Sequence, residues 1–166
     1  MIVFDASTLI LLAKIELLTP LSKDIDIIIT EIVEKEAAGK INSLDAKIIR
    51  SLIKKGAIVV KPVKETPIVK ELMNDFNMDK GESSVVVLYK EINADLVATD
   101  DGQLIKASKL MEIPFVSSIT FLIRGKQKGL IDEDIALEKL RKLEDFGWYK
   151  TRVIEDAEKR IRGDKR

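Results

Sequence analysis

The sequence predicts an α/β fold built on a parallel sheet with helices on both sides, and three observations carry that reading. Short apolar runs rich in β-branched residues alternate with helix-length runs through the first two-thirds of the chain, the order that builds parallel sheets. Two of the short runs, Ile2-Val3-Phe4-Asp5 and Ala94-Asp95-Leu96-Val97-Ala98-Thr99-Asp100-Asp101, end abruptly on acids. The carboxyl ends of parallel strands are where such sheets place their ligands. Finally, 166 residues, of which 46% are hydrophobic and 34% charged, suit one domain with a sizeable core.

Ile2 to Phe4 reads as a buried strand with Asp5 at its carboxyl end. The plain alternative is that Asp5 or Ser7 only caps the next helix, because both side chains accept hydrogen bonds from orphan N–H groups. Thr8 to Leu18, nearly continuous in Leu, Ile and Ala, is too long for a strand and predicts a helix buried on most sides, with Pro20 as its break. Asp26 to Thr30 is a second strand. In the helix Glu31 to Ala38, at about 100° per residue, Ile32 and Val33 bound an apolar arc that contains Glu36 and leaves out Glu31 and Glu34. A carboxylate on a buried face is costly unless it is paired, protonated or bound to metal. The alternative is an escape of Glu36 at the frayed end near Gly39.

Asp45 to Lys55 is an amphipathic helix stopped by Gly56, and Ala57 to Val60 is a third strand. Pro62 and Pro67 bound a loop, after which Ile68, Val69, Leu72, Met73 and Phe76 mark another helical face. Asp79-Lys80-Gly81-Glu82 then opens a helix with capping-box spacing. That helix is apolar all round through Tyr89, hence buried, and Glu82 shares a face with Val85, Val86 and Tyr89. Gly81 allows another group close to the backbone, and Ser83 and Ser84 are small for the same reason.

Ala94 to Gly102 mirrors the opening as a fourth strand ending on acids. Because side chains alternate along a strand, Asp100 and Asp101 should diverge, one towards the crevice and one towards a cap or supporting role. Which does which is open at this level, and Asp-Asp-Gly is also ordinary turn chemistry. Gln103 to Met111 is helical, Pro114 to Val116 is a short fifth strand, and Ser118 to Lys126 is a helix ended by Gly129. Asp132 to Asp145 and Thr151 to Arg162 are further helices, joined by the turn Gly147-Trp148-Tyr149 with the only tryptophan.

Composition excludes several chemistries. The chain has no cysteine and no histidine, which removes disulfides, thiolate nucleophiles, Ser-His-Asp schemes and zinc-hydrolase sites. Lys plus Arg equals Asp plus Glu at 28 each, so any attraction to nucleic acid must come from local patches. No leader pattern precedes the first strand and the apolar run Leu9 to Ala13 is too short to cross a bilayer, which points to a soluble, cytoplasmic protein with no membrane partner. The wealth of Ile, Lys and Glu is that of a thermophile.

In a parallel sheet the ends of strands one and four open on the same edge, and helices carrying Glu36 and Glu82 would lean their acids towards it. Asp5, Glu36, Glu82 and Asp100 or Asp101 would then cluster. Without cations such carboxylates repel, and some stay protonated. An oxygen-only donor set suits Mg²⁺ or Mn²⁺. Such sites commonly act on phosphodiesters, the metal activating water and neutralising phosphate without a histidine.

The motifs Asp5-Ala6-Ser7-Thr8-Leu9, Val33-Glu34-Lys35-Glu36, Gly81-Glu82-Ser83 and Thr99-Asp100-Asp101-Gly102-Gln103-Leu104 together resemble the PIN domain, and in particular the VapC-like toxin ribonucleases of prokaryotes. The resemblance covers residues 1–125. It implies a three-layer α/β/α sandwich with a central, mostly parallel five-stranded sheet, residues 126–166 being a C-terminal helical extension packed on the same domain. It further implies a Mg²⁺- or Mn²⁺-dependent endoribonuclease cleaving single-stranded RNA, the toxin of a toxin-antitoxin pair, with a homodimer and a small antitoxin as its assemblies. By resemblance Asp5, Glu36 and Glu82 match the family's metal-binding acids, Asp101 the acid after the strand-end Thr, and Ser7 the hydroxyl residue beside the first acid. Asp100 is an added acid that could join the metal set. Here the third acid is Glu in a Gly-Glu pair where many relatives have Asp.

The alternative is a catalytically inactive PIN-like module that binds RNA or protein. A haloacid-dehalogenase-type phosphohydrolase also begins with a strand ending in Asp, but its Asp-x-Asp signature fails at Ser7. A receiver-like phosphoacceptor would need a lysine at a spacing not evident here. Substrate contacts are expected among Lys80, Lys106, Arg124, Lys126 and Lys128.

Overall fold

The computed structural model of the chain describes residues 1–40, 42–64 and 67–163. It divides into two compact units, Met1–Val116 and Ser117–Arg166. Part of the loop between Pro62 and Pro67, residues 65 and 66, lies outside the described residues, as do residues 164–166 of the predicted extension.

The first unit holds strands β1 (Ile2–Phe4), β2 (Ile27–Thr30), β3 (Ile58–Lys61), β4 (Leu96–Ala98) and β5 (Phe115–Val116) in the order β3-β2-β1-β4-β5. All four pairings are parallel, so the sheet is fully rather than mostly parallel among the described residues. Adjacent residues on β1, Val3 and Phe4, point to opposite faces and are both fully buried; Ile28 and Ile29 on β2, and Val97 and Ala98 on β4, repeat this. Both faces of the sheet are therefore covered, giving the α/β/α sandwich. The chain builds β1, β2 and β3 outward in one direction and returns to add β4 and β5 on the other side of β1. The strand order thus reverses between β1 and β4, the point where open parallel sheets form a crevice at their carboxyl ends.

Among the described residues, seven helices belong to this unit: α1 (Ala6–Lys14), α2 (Leu18–Leu21), α3 (Glu31–Ala38), α4 (Leu44–Lys54), α5 (Pro67–Phe76), α6 (Lys80–Glu91) and α7 (Gly102–Leu110). α6 packs on β1, β2 and β4 and contacts α3 and α5, while α1, α3 and α4 pack together. The expected helix Thr8 to Leu18 is in fact two: the chain turns at Glu16, with φ of 56°, and resumes as α2. Pro20 lies inside α2 rather than beyond it. It is tolerated there because N–H groups in a helix's first turn have no intrahelical partner to lose. Pro67 likewise opens α5. Gly56, with φ of 73°, ends α4 in the left-handed conformation as its position suggests.

The second unit comprises α8 (Ser118–Gln127), α9 (Glu133–Phe146) and α10 (Thr151–Arg162), all three in mutual contact. Ala136, Leu140 and Leu143 of α9 and Ile154, Ala157 and Ile161 of α10 are buried at helical spacing. Among the described residues no helix is long and apolar enough to cross a membrane.

Candidate functional site

Asp5 sits at the switch point. Its backbone N–H donates to the carbonyl of Ala98 at 2.8 Å, tying the end of β1 to the end of β4. Although it occupies the N-cap position of α1, its side chain makes no capping hydrogen bond. Instead Asp5 Oδ2 accepts from Ser7 Oγ at 2.6 Å and from Thr99 Oγ1 at 3.1 Å. Each hydroxyl in turn accepts a backbone N–H from the loop after β4, Ser7 from Asp100 and Thr99 from Asp101, both at 3.0 Å. Two parallel relays therefore hold one carboxylate oxygen. Asp5 is 4% exposed, and burial raises its pKa above the ordinary carboxylate range. Hydrogen bonds from Ser7, the Ala6 backbone and Thr99 oppose that rise, and the charge of Asp101 adds to it.

Asp100 and Asp101 diverge as strand alternation requires. Asp100 accepts from Thr8 Oγ1 at 2.5 Å. Asp101 is the N-cap of α7, with its Oδ1 accepting from Gln103 and Leu104 N–H at 2.7 and 3.0 Å. Its carboxyl group acts on both Glu82 and Asp5, raising the pKa of each.

Glu82 completes a capping box at the start of α6: its N–H donates to Asp79 Oδ1 at 2.8 Å and its Oε2 accepts the Asp79 N–H at 2.9 Å. Desolvation by burial is the main reason that its pKa is pushed up to about 8; the Asp79 backbone N–H opposes this, while the hydrogen bond with Asp101 and the charges of Asp101 and Asp79 add to it.

Glu36 arrives from α3. Thr30, the last residue of β2, caps that helix by accepting the Val33 N–H at 3.1 Å. Because the Ser84 hydroxyl donates its one proton to the Gly81 carbonyl at 2.6 Å, Thr30 donates to Ser84 Oγ across 2.9 Å. This buried hydroxyl pair pins the start of α3 to α6. Gly81 leaves room for the Glu36 carboxylate beside α6: a Cβ there would lie only 2.5 and 2.7 Å from the two Glu36 carboxylate oxygens. As a residue Glu36 is exposed, which corrects the expectation of a buried-face acid. The physical reason is that the side chain leans off the apolar arc towards Gly81. Partial desolvation there, then the charges of Asp79 and Asp5, lift its pKa to about 7.

The structure thus brings Asp5, Glu36, Glu82 and Asp101 into one field of mutually repelling carboxyl groups at the carboxyl edge of the sheet, with Ser7 bonded to the first. Asp79 belongs to the same field, raising both Glu36 and Glu82. Sequence reading had given Asp79 only a capping role. Its signal was its place, three residues before Glu82, since a capping box sets its two acids side by side. Thr99 was recognised only as a strand-end residue, yet it bridges Asp5 to the Asp101 backbone. Lys80 and Lys106 are exposed on α6 and α7.

The oxygen-only donor set suits a hard divalent ion, and burial, with neighbouring acids adding to it, raises the pKa of Asp5, Glu36 and Glu82. Among the described residues, no three acids stand close enough together to hold an ion as they are. Their oxygens are instead committed to Ser7, Thr99, the Asp79 N–H and the first turn of α7.

A family model for the PIN domain matches residues 1–161. A comparison with curated proteins finds no match. PIN domains are in general nucleases and typically use divalent metal ions. With that match running through both units, on a fully parallel five-stranded sheet whose switch point carries clustered acids, the chain belongs to the PIN-domain family.

Proposed function

We propose that the protein is a metal-dependent endoribonuclease that cleaves single-stranded RNA, the toxin component of a VapC-like toxin-antitoxin pair. The observation that supports this best is geometric: Asp5 ends β1 at the switch point, its carboxylate is tied through Ser7 and Thr99 to the loop bearing Asp101, and the Glu36 carboxylate lies against Gly81, next to Glu82. On this reading Asp5, Glu36, Glu82 and Asp101 hold Mg²⁺ or Mn²⁺, with Asp100 turned to Thr8 beside them. When bound, the ion supplies an activated water and neutralises the scissile phosphate. Ser7 and Thr99 fix the Asp5 carboxylate so that its orientation is set before substrate arrives. Glu82 would join the ion from the first turn of α6, and Glu36 would reach it from beside Gly81. Residues 1–125 carry the chemistry and 126–166 are an extension of it. In the cell the enzyme works in the cytoplasm as a homodimer silenced by a small antitoxin.

One observation favours a second reading, a PIN-like module that binds RNA or protein without cutting it: Glu82 and Asp101 both have complete helix-capping roles without any metal. Cleavage of a single-stranded RNA in Mn²⁺ by the wild type and by Asp5→Asn decides between them. The nuclease reading expects loss of cleavage in a variant that still melts cooperatively; undiminished cleavage refutes it, and intact RNA bound tightly by the wild type selects the module.

A further inference from the structure

The neutral charge of the chain is unevenly spread. Residues 117–166 carry 13 Lys and Arg against 10 Asp and Glu, a net of +3, whereas residues 1–116 carry 15 against 18, a net of −3. A unit that gathers acids for chemistry repels the phosphates it would act on, so affinity for a polyanion has to come from elsewhere.

The turn between α9 and α10 is built to project one side chain. The Tyr149 ring folds back over Gly147, where a Cβ would lie 2.3 Å from Tyr149 Cε2 and 3.0 Å from the Leu143 carbonyl. With tyrosine closing the turn, Trp148 is left fully exposed, at 104%. A side chain that could bury 150–250 Å² of mostly apolar surface is an expensive one to leave in water, and nothing in the packing of its own unit uses it. Phe146 and Val153, on either side in sequence, are 49% and 43% exposed.

The charges that follow are free to act. Lys150 and Arg152 are exposed and, among the described residues, form no ion pair, and α10 has no acid in its first turn. Other cations of the unit are engaged: Lys142 with Glu138 at 3.1 Å, Arg160 with Asp156 at 2.8 Å and Arg162 with Glu158 at 2.9 Å. Glu144 and Asp145 precede Phe146 and Glu155 follows Arg152, so the cationic stretch is short and centred on the turn.

We propose that this turn is a stacking platform for single-stranded RNA, in which a base lies on the Trp148 indole while Lys150 and Arg152 hold the flanking phosphates. An aromatic face accepts any base, and cations beside it track the backbone, so the platform supplies affinity without sequence preference. Phe146 and Val153 widen the apolar face, but Lys150 and Arg152 beside the indole match a polyanion. The choice of ligand rests on the ribonuclease reading above; the platform itself is independent of the acids.

The chain's only tryptophan is the probe. Its emission is followed while a 12-nucleotide oligo(rA) is titrated into the full-length protein in EDTA, where metal-dependent cleavage is off, and binding is read separately by anisotropy of a labelled oligomer. The proposal expects saturable quenching of Trp148, binding weakened about 5- to 100-fold in Trp148→Ala, and near-complete rescue in Trp148→Phe. A milder, salt-sensitive loss is expected in Lys150→Ala/Arg152→Ala. Because Trp148 touches nothing in the fold, the variants keep the wild-type melting temperature. RNA that binds without moving Trp148 emission, equal binding by Trp148→Ala, or no binding at all overturns the platform. So does an emission shift that depends on protein concentration alone, which would put a second copy of the chain on the indole. Quenching without cleavage in Mn²⁺ keeps the platform and removes the nuclease reading; cleavage with KM unchanged in Trp148→Ala does the reverse.

Discussion

Replacing Glu82 with Gln should make the metal-free protein more stable at neutral pH. Glu82 has its pKa lifted from 4.5 to about 8, so in the wild type the folded state binds a proton that the unfolded state releases above pH 4.5. Stability contributed by this group is therefore full below about pH 4.5 and falls as pH rises towards 8. Between pH 4.5 and 7, at about 1.4 kcal/mol per pH unit, the linkage at face value amounts to about 3 kcal/mol. Glu82 is half-exposed, and solvent screening reduces this to about 1–2 kcal/mol. Glutamine is neutral in both states, still reaches back to the Asp79 N–H in the capping box, and can donate to Asp101. For a chain of this length the gain corresponds to a rise in melting temperature of about 2–8 °C at pH 7. Thermal melts in EDTA at pH 4.5 and pH 7 measure it, and the difference between variant and wild type should nearly vanish at the lower pH. A variant that melts below the wild type at pH 7, or that gains equally at both values, would show that burial and the neighbouring acids do not destabilise an ionised Glu82 at this site.

Two further substitutions separate geometry from charge. Gly81→Ala places a methyl group against the Glu36 carboxylate, which lies at the end of a flexible side chain and can move aside. Helix propensity then favours the variant by about 0.5–1 kcal/mol, while Mn²⁺ affinity measured by calorimetry should fall about tenfold or more; unchanged affinity would remove Glu36 from the site. Asp101→Asn keeps an N-cap for α7 and so keeps stability within about 0.5 kcal/mol, yet should lose Mn²⁺-dependent cleavage, whereas Asp100→Asn, at an acid bonded to Thr8, should retain most of it. The opposite ranking would exchange the roles of the two acids.

Much of this molecule follows from local pattern. The β-branched run Ile27-Ile28-Ile29 can only be a strand buried on both faces, the spacing of Asp79 and Glu82 is a capping box, and alternation along a strand forces Asp100 and Asp101 apart. Parallel direction, inferred from strand-helix alternation, already places Asp5 and the acids after β4 on one edge. What local pattern could not supply was anything that depends on which side chains meet across the sheet. The break at Glu16 rests on a left-handed backbone, φ of 56°, that apolar content does not signal, and Pro20 survives inside a helix because it falls in the first turn of α2. Helical angle put Glu36 on the apolar arc, but contact between α3 and α6 through Thr30, Ser84 and Gly81 turns its carboxylate out beside α6. Asp79 acts on Glu82 through their local capping box, but its action on Glu36 depends on α3 lying beside α6. Sequence by itself determined the elements, their order and the acids that end them, because those are properties of neighbours a few residues apart. Only the tertiary structure decided which acids act on one another, because the interaction among residues 5, 36, 79, 82 and 101 is set by distance in space and by the water removed between them.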